Sequence, residues 1–103
     1  MNDDNQAERR SQIAALLRQT GAAHDKYEQS ALGGQYDVEW PKWYASYLVE
    51  HGLPGLLGQD TKLDSKKVEE LLINADASHR ATAPNDNWPD YYAQYLLERS
   101  EAV

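Results

Sequence analysis

Apolar residues recur along this chain at intervals of three and four, the spacing that gathers side chains on one face of an α-helix. In the leading segment Ile13, Leu16, Leu17, Thr20, His24, Tyr27 and Ala31 form one such stripe. Asn5 followed by Glu8 resembles a helix-opening capping signal and Gly33-Gly34 a stop, so a helix is expected over most of residues 5–31. A second stripe runs through Val68, Leu71, Leu72, Ala75, His79 and Thr82, with Asp64 as N-cap and Pro84 as terminator; it predicts a helix over roughly 65–81. Two further stripes are aromatic. Trp40, Trp43, Tyr44, Tyr47, Leu48 and His51 keep helical spacing, as do Trp88, Tyr91, Tyr92, Tyr95, Leu96 and Arg99. Pro41 and Pro89 suit the first turn of these helices, where a missing N–H leaves no bond unmade. The residue before a proline is pushed out of the α region, which sets Trp40 and Trp88 at the helix entrances, swung back over the core.

The two aromatic stripes are copies of one another. Trp40 to Glu50 reads WPKWYASYLVE and Trp88 to Glu98 reads WPDYYAQYLLE, with seven of eleven positions identical, where ordinary residue frequencies give about one. Upstream, Ile13, Leu16, Leu17, Ala22 and His24 align with Val68, Leu71, Leu72, Ala77 and His79 at an offset of 55, against 48 for the aromatic segment. The seven extra residues of the first copy fall around Gly33-Gly34, a loop signal. The chain therefore reads as one all-α domain over 1–103, a tandem duplication of a helix-loop-helix unit (about 5–52 and about 60–100) that forms a four-helix arrangement with pseudo-twofold symmetry. One helix pair would leave an outer side wet, whereas two copies close a core. Between them, the leucines of residues 53–58 suit a single helical turn that plugs one end.

Composition narrows the classes of function. The 103 residues carry 10 Lys+Arg against 17 Asp+Glu, a net charge of −7, with the basic residues scattered, which argues against a nucleic-acid surface. The two halves carry similar charge, as two related modules would. With no Cys there is neither a disulfide nor a thiolate metal site. No apolar run is long enough to cross a bilayer, and the acidic N-terminal stretch is unlike a signal peptide, so a cytoplasmic location is expected. Three Trp and seven Tyr stand beside no Phe. Eight of these ten rings lie on the two repeated helices, and Trp40, Trp43, Tyr44, Tyr47, Trp88, Tyr91, Tyr92 and Tyr95 are expected to supply most of the core volume.

AHDKYE at Ala23 to Glu28, LGGQYD at Leu32 to Asp37 and WPKWYASYL at Trp40 to Leu48 together resemble an uncharacterised group of small bacterial proteins that carry an AHxxYE element ahead of WPxWYAxYL. The second copy departs from that pattern: Ser78-His79-Arg80-Ala81-Thr82-Ala83 has lost the Tyr and Glu, and Tyr91 replaces Trp. The resemblance implies a helical bacterial protein and brings no activity with it.

Three constellations bear on function. His24 and His79 occupy equivalent inward positions, with Glu28 and Asp76 on neighbouring turns, a donor set for one divalent metal if the two copies face each other. Against it, the positions matching Glu28 and Asp76 are Ala83 and Gly21, and buried histidines bonded to tyrosine hydroxyls or backbone carbonyls account for the same residues. The tyrosines suggest an aromatic, polar-lined pocket for a small ligand, or simply hydroxyls reaching water. Ala45, Val49, Ala93 and Leu97 project off the aromatic stripe and form a candidate contact strip for a partner protein or a second copy, unless they are covered internally. No nucleophile elbow, His-Glu-x-x-His or phosphate-cradling loop occurs. The expectation is a non-enzymatic interaction or self-associating module without cofactor, with metal or ligand binding through His24 and His79 as the alternative.

Overall fold

The structure, a computed structural model, describes residues 3–35, 37–57 and 64–101. All its regular elements are helices: α1 (Asp3–Ala31), α2 (Trp40–Glu50), α3 (Leu53–Leu56), α4 (Ser65–Thr82) and α5 (Trp88–Glu101). The all-α expectation stands, but the described residues hold five helices and not four, because the leucines after Gly52 wind into a separate turn. Gly52 takes a left-handed φ of 97°, which turns the chain sharply out of α2, and Pro54 sits in the first turn of α3. Gly58, the last residue of that expected turn, and the first residues of the expected second unit, 60–63, lie outside the described residues.

Local signals place the other boundaries. Asp64 caps α4 by accepting the Lys67 N–H at 2.9 Å. Gly33 and Gly34 have positive φ and fold the chain back after α1, so that the Gly34 N–H reaches the Glu28 carbonyl at 2.9 Å. The Asn5–Glu8 signal does not open α1, since the helix already includes Asp3.

α1 packs most extensively on α5 and α2 on α4; smaller contacts join α4 to α5 and α1 to α2, and α3 rests on α1 and α2. The fully buried centre draws on all five helices: Ile13 and Leu17, Leu48, Leu53, Val68 and Leu72, and Leu96. Each such side chain contributes on the order of 1.5–3 kcal/mol by leaving water.

The aromatic helices are rotated relative to the expectation. Ala45, Ala93 and Leu97 are buried in the core and Val49 packs against it, so these positions are interior and do not form a contact strip. Among the eight aromatic residues only Tyr92 belongs to the buried core; Trp40, Tyr44, Tyr47, Trp88, Tyr91 and Tyr95 pack against it half-buried, and Trp43 is also half-buried. Small side chains at a helix contact allow close approach of the axes, and the bulky rings then fit at the flanks, where their polar groups stay near water.

Leu72→Ala should cost about 2–5 kcal/mol in urea denaturation by emptying a fully buried site. The adjacent Ile73 is 47% exposed, and Ile73→Ala should shift stability by about 0.5 kcal/mol or less.

Candidate functional site

Near the C-terminal end of each long helix stands a histidine, and each ties its helix to the loop that leads into a Trp-Pro helix. On α1, the His24 Nε2–H donates to the Asp37 carboxylate at 2.9 Å, in a site that leaves His24 only 6% exposed. A carboxylate accepts only, so the proton is on Nε2; Nδ1 lies 3.9 Å from the Glu28 carboxylate, beyond hydrogen-bond length. The other Asp37 oxygen accepts the Glu39 N–H at 2.9 Å, and the Asp37 N–H donates to Glu28 at 2.9 Å. Asp37 thus fixes the entry to α2 from three sides. On α4, the His79 Nε2–H donates to the Asp86 carbonyl at 2.8 Å, just ahead of α5.

Between these two anchors lies an open cleft of about 460 Å3. Its walls are Trp40 and Tyr44 from α2, Trp88 and Tyr92 from α5, the two histidines, Glu28, Asp76, Arg80 and Pro84. The rings form an unbroken row: His24–Tyr44 at 5.1 Å between centroids, Tyr44–Trp88 at 6.2 Å, Trp88–Tyr92 at 5.2 Å and Tyr92–His79 at 6.1 Å. Trp40 stands edge-on to Tyr44 at 5.1 Å. Trp88 is seated on Gly21, where a Cβ would come within 3.2 Å of its indole.

All four residues of the expected metal set therefore line one cleft, but not as ligands around one point. Two aromatic residues of α5 and one of α2 stand in the row between the histidines, and both Nε2 groups are committed to the loops. Asp76 accepts the Tyr92 hydroxyl at 2.9 Å and pairs with Arg80 at 2.8 Å. Among the described residues no group of three or more His, Asp or Glu stands at metal-holding spacing. The expected metal set is not assembled: both Nε2 groups and the Asp76 carboxylate are taken by local partners, which leaves no three of the donors around one point.

The remaining aromatics face elsewhere. Trp43 lies between Tyr27 and Tyr47, at 5.4 and 5.5 Å, and with Tyr47 borders a separate outer groove of similar volume. Tyr91 borders a polar groove between α1 and α5 and bonds Ser78 through its hydroxyl. Tyr95 lies under the Arg99 guanidinium, 4.8 Å from the ring centroid, and Tyr47 accepts a bond from Gln19. The hydroxyl bonds of Tyr47, Tyr91 and Tyr92 are ones that phenylalanine could not make, and no fully buried side-chain N or O among the described residues lacks a partner.

Three cleft-defining residues were not singled out from the sequence as site residues. Asp37 and Pro84 lie in loops, which carry no periodicity to reveal a facing direction. Arg80 was findable, since it stands four residues after Asp76 on the same helical face. Comparison with family models, with curated proteins and with solved structures found no match. No described helix is long and apolar enough to cross a membrane.

Two phenols in the cleft are hard to ionise. Burial, and then the Glu28 charge, push Tyr44 up from 10.0 to about 12; burial, and then the bond to Asp76, raise Tyr92 further. The native state holds protons that the unfolded chain releases above pH 10, so this contribution is whole below pH 10 and is lost as pH rises, for Tyr44 through about pH 12. Tyr44→Phe should flatten that alkaline loss, followed by thermal melts at rising pH. Asp37→Ala should lower stability by about 1–3 kcal/mol by orphaning the buried His24 N–H. Asp86→Ala keeps the carbonyl that His79 uses and should have little effect, and paired denaturation curves separate the two.

Proposed function

We propose that the chain is two copies of a helix-loop-helix unit related by an approximate twofold axis, and that it acts as a binding protein for a small organic ligand held in the cleft between them. Exchange of the copies turns the α1–α5 contact into the α4–α2 contact, and these are the two most extensive helix pairs. Ring pairs correspond in the same way: Trp40–Tyr44 and Trp88–Tyr92 are 5.1 and 5.2 Å apart, and His24–Trp43 and His79–Tyr91 are 4.9 and 5.0 Å apart.

The observation that carries the ligand reading is the lining of the cleft. Ligand sites of roughly 300–1,000 Å3 combine apolar and aromatic walls with a few convergent polar groups. Here four Trp/Tyr rings are joined by two histidines, two carboxylates and one guanidinium within about 460 Å3. The sequence motifs for nucleophilic or phosphate chemistry are missing, and neither histidine has a nucleophile in its bonding, so binding is favoured over catalysis. An interaction module resting on Ala45, Val49, Ala93 and Leu97 has lost its surface to the core.

A fragment survey by two-dimensional NMR on the full chain tests the reading. Binders should perturb the Trp40 and Trp88 indole resonances, and Trp40→Ala should weaken them about tenfold, the loss of about 1.4 kcal/mol of ring contact. Binders that perturb only the Tyr27–Trp43–Tyr47 side, or keep full affinity for Trp40→Ala, would refute it.

A further inference from the structure

We infer that the ligand of this cleft is an organic cation, an ammonium or quaternary ammonium group on a small body; the inference rests on the cleft being a ligand site. The ring geometry comes first. Trp40 and Tyr44 are inclined at 74°, Tyr44 and Trp88 at 56°, and Trp88 and Tyr92 at 70°. Rings set at such angles are not a flat stack, and all four of them line the same cleft. An aromatic face carries the negative part of the ring quadrupole, and boxes of Trp and Tyr faces are the sites in which alkylammonium groups are recognised.

The charges of the lining agree. Arg80 is matched by Asp76, whose two oxygens are taken by the guanidinium and by the Tyr92 hydroxyl. Glu28 has no such balance. One of its oxygens accepts the Asp37 N–H, while the other has only the His24 ring nitrogen at 3.9 Å. Among the described residues no lysine or arginine lines the cleft besides Arg80, so with neutral histidines their lining carries an excess of one negative charge. The chain around it is at −7. The negative field of Glu28 is also felt by Tyr44, where it adds to burial in holding the proton on the phenol. An anion would meet two carboxylates and one guanidinium that is already paired. A cation would meet the ring faces and Glu28.

The experiment compares three probes of nearly equal shape: choline, its neutral isostere 3,3-dimethylbutanol, and trimethylacetate as the anion. Each is titrated into the full chain, with the Trp40 and Trp88 indole resonances as readout. Choline should bind about tenfold more tightly than the neutral isostere, and trimethylacetate more weakly than both. Glu28→Gln keeps an acceptor for the Asp37 N–H, and it should weaken choline several-fold while leaving the neutral probe unchanged. Trp40→Leu keeps apolar volume without a π face and should have the same selective effect. Glu50→Gln, an exposed change elsewhere on α2, should alter neither. Equal or tighter binding of the neutral or anionic probe at these indoles would overturn the cation inference and leave the cleft as a ligand site. Absence of choline binding to the folded protein would also overturn it, and the fragment survey then decides separately whether the cleft binds anything.

Discussion

A ring N–H withdrawn from water needs an acceptor, and the Nε2–H groups of the buried His24 and the half-buried His79 each find one in the few residues ahead of a Trp-Pro helix. That requirement sets the angle at which α2 and α5 leave their loops. It therefore sets where Trp40 and Trp88, the first residues of those helices, are placed. The two ties differ in chemistry. His24 is held by a side chain, which is itself held by Glu28 and grips the backbone at Glu39. His79 is held by a carbonyl that any residue would supply. The first entrance depends on the identity of Asp37, and the second depends only on the path of the chain.

The departures from equivalence between the halves matter as much as the likeness. At an offset of 55, Gly21 stands where the second half has Asp76. Over Gly21 there is room for Trp88 to lie against the helix and meet Tyr44. Asp76 instead presents a carboxylate, bonded to Tyr92 and Arg80, and both it and Trp40 line the cleft. Glu28, matched by Ala83, adds charge on one side only. The cleft therefore has aromatic walls with charge at both ends, Glu28 beside His24 and the Asp76–Arg80 pair beside Tyr92.

Much of this was legible in the sequence, and the limits have physical causes. Helix positions followed from spacing, from Asp64, from the Gly33-Gly34 pair and from the prolines, because those signals act within a turn or two of the chain. Which side of α2 and α5 faces inward did not follow. Trp and Tyr offer far more area to bury than Ala, yet the interior took Ala45 and Ala93, since small side chains at the contact let the helix axes approach. The histidines, Glu28 and Asp76, expected as one metal set, line one cleft, but their bonding partners were not legible. Asp37 reaches His24 across thirteen residues, a connection that no local pattern encodes.

The seat of Trp88 on Gly21 links the cleft to the backbone of α1. A glycine inside a helix costs about 1 kcal/mol relative to alanine and leaves its peptide groups open to water, and here the indole covers them. Any movement of Trp88 that widens the cleft draws the indole off a glycine inside a 29-residue helix. Amide hydrogen exchange around Gly21 would then rise and fall with the state of the cleft, although the residue touches it only through a neighbour. The middle of α1 thereby becomes a gauge of what the aromatic rings are doing.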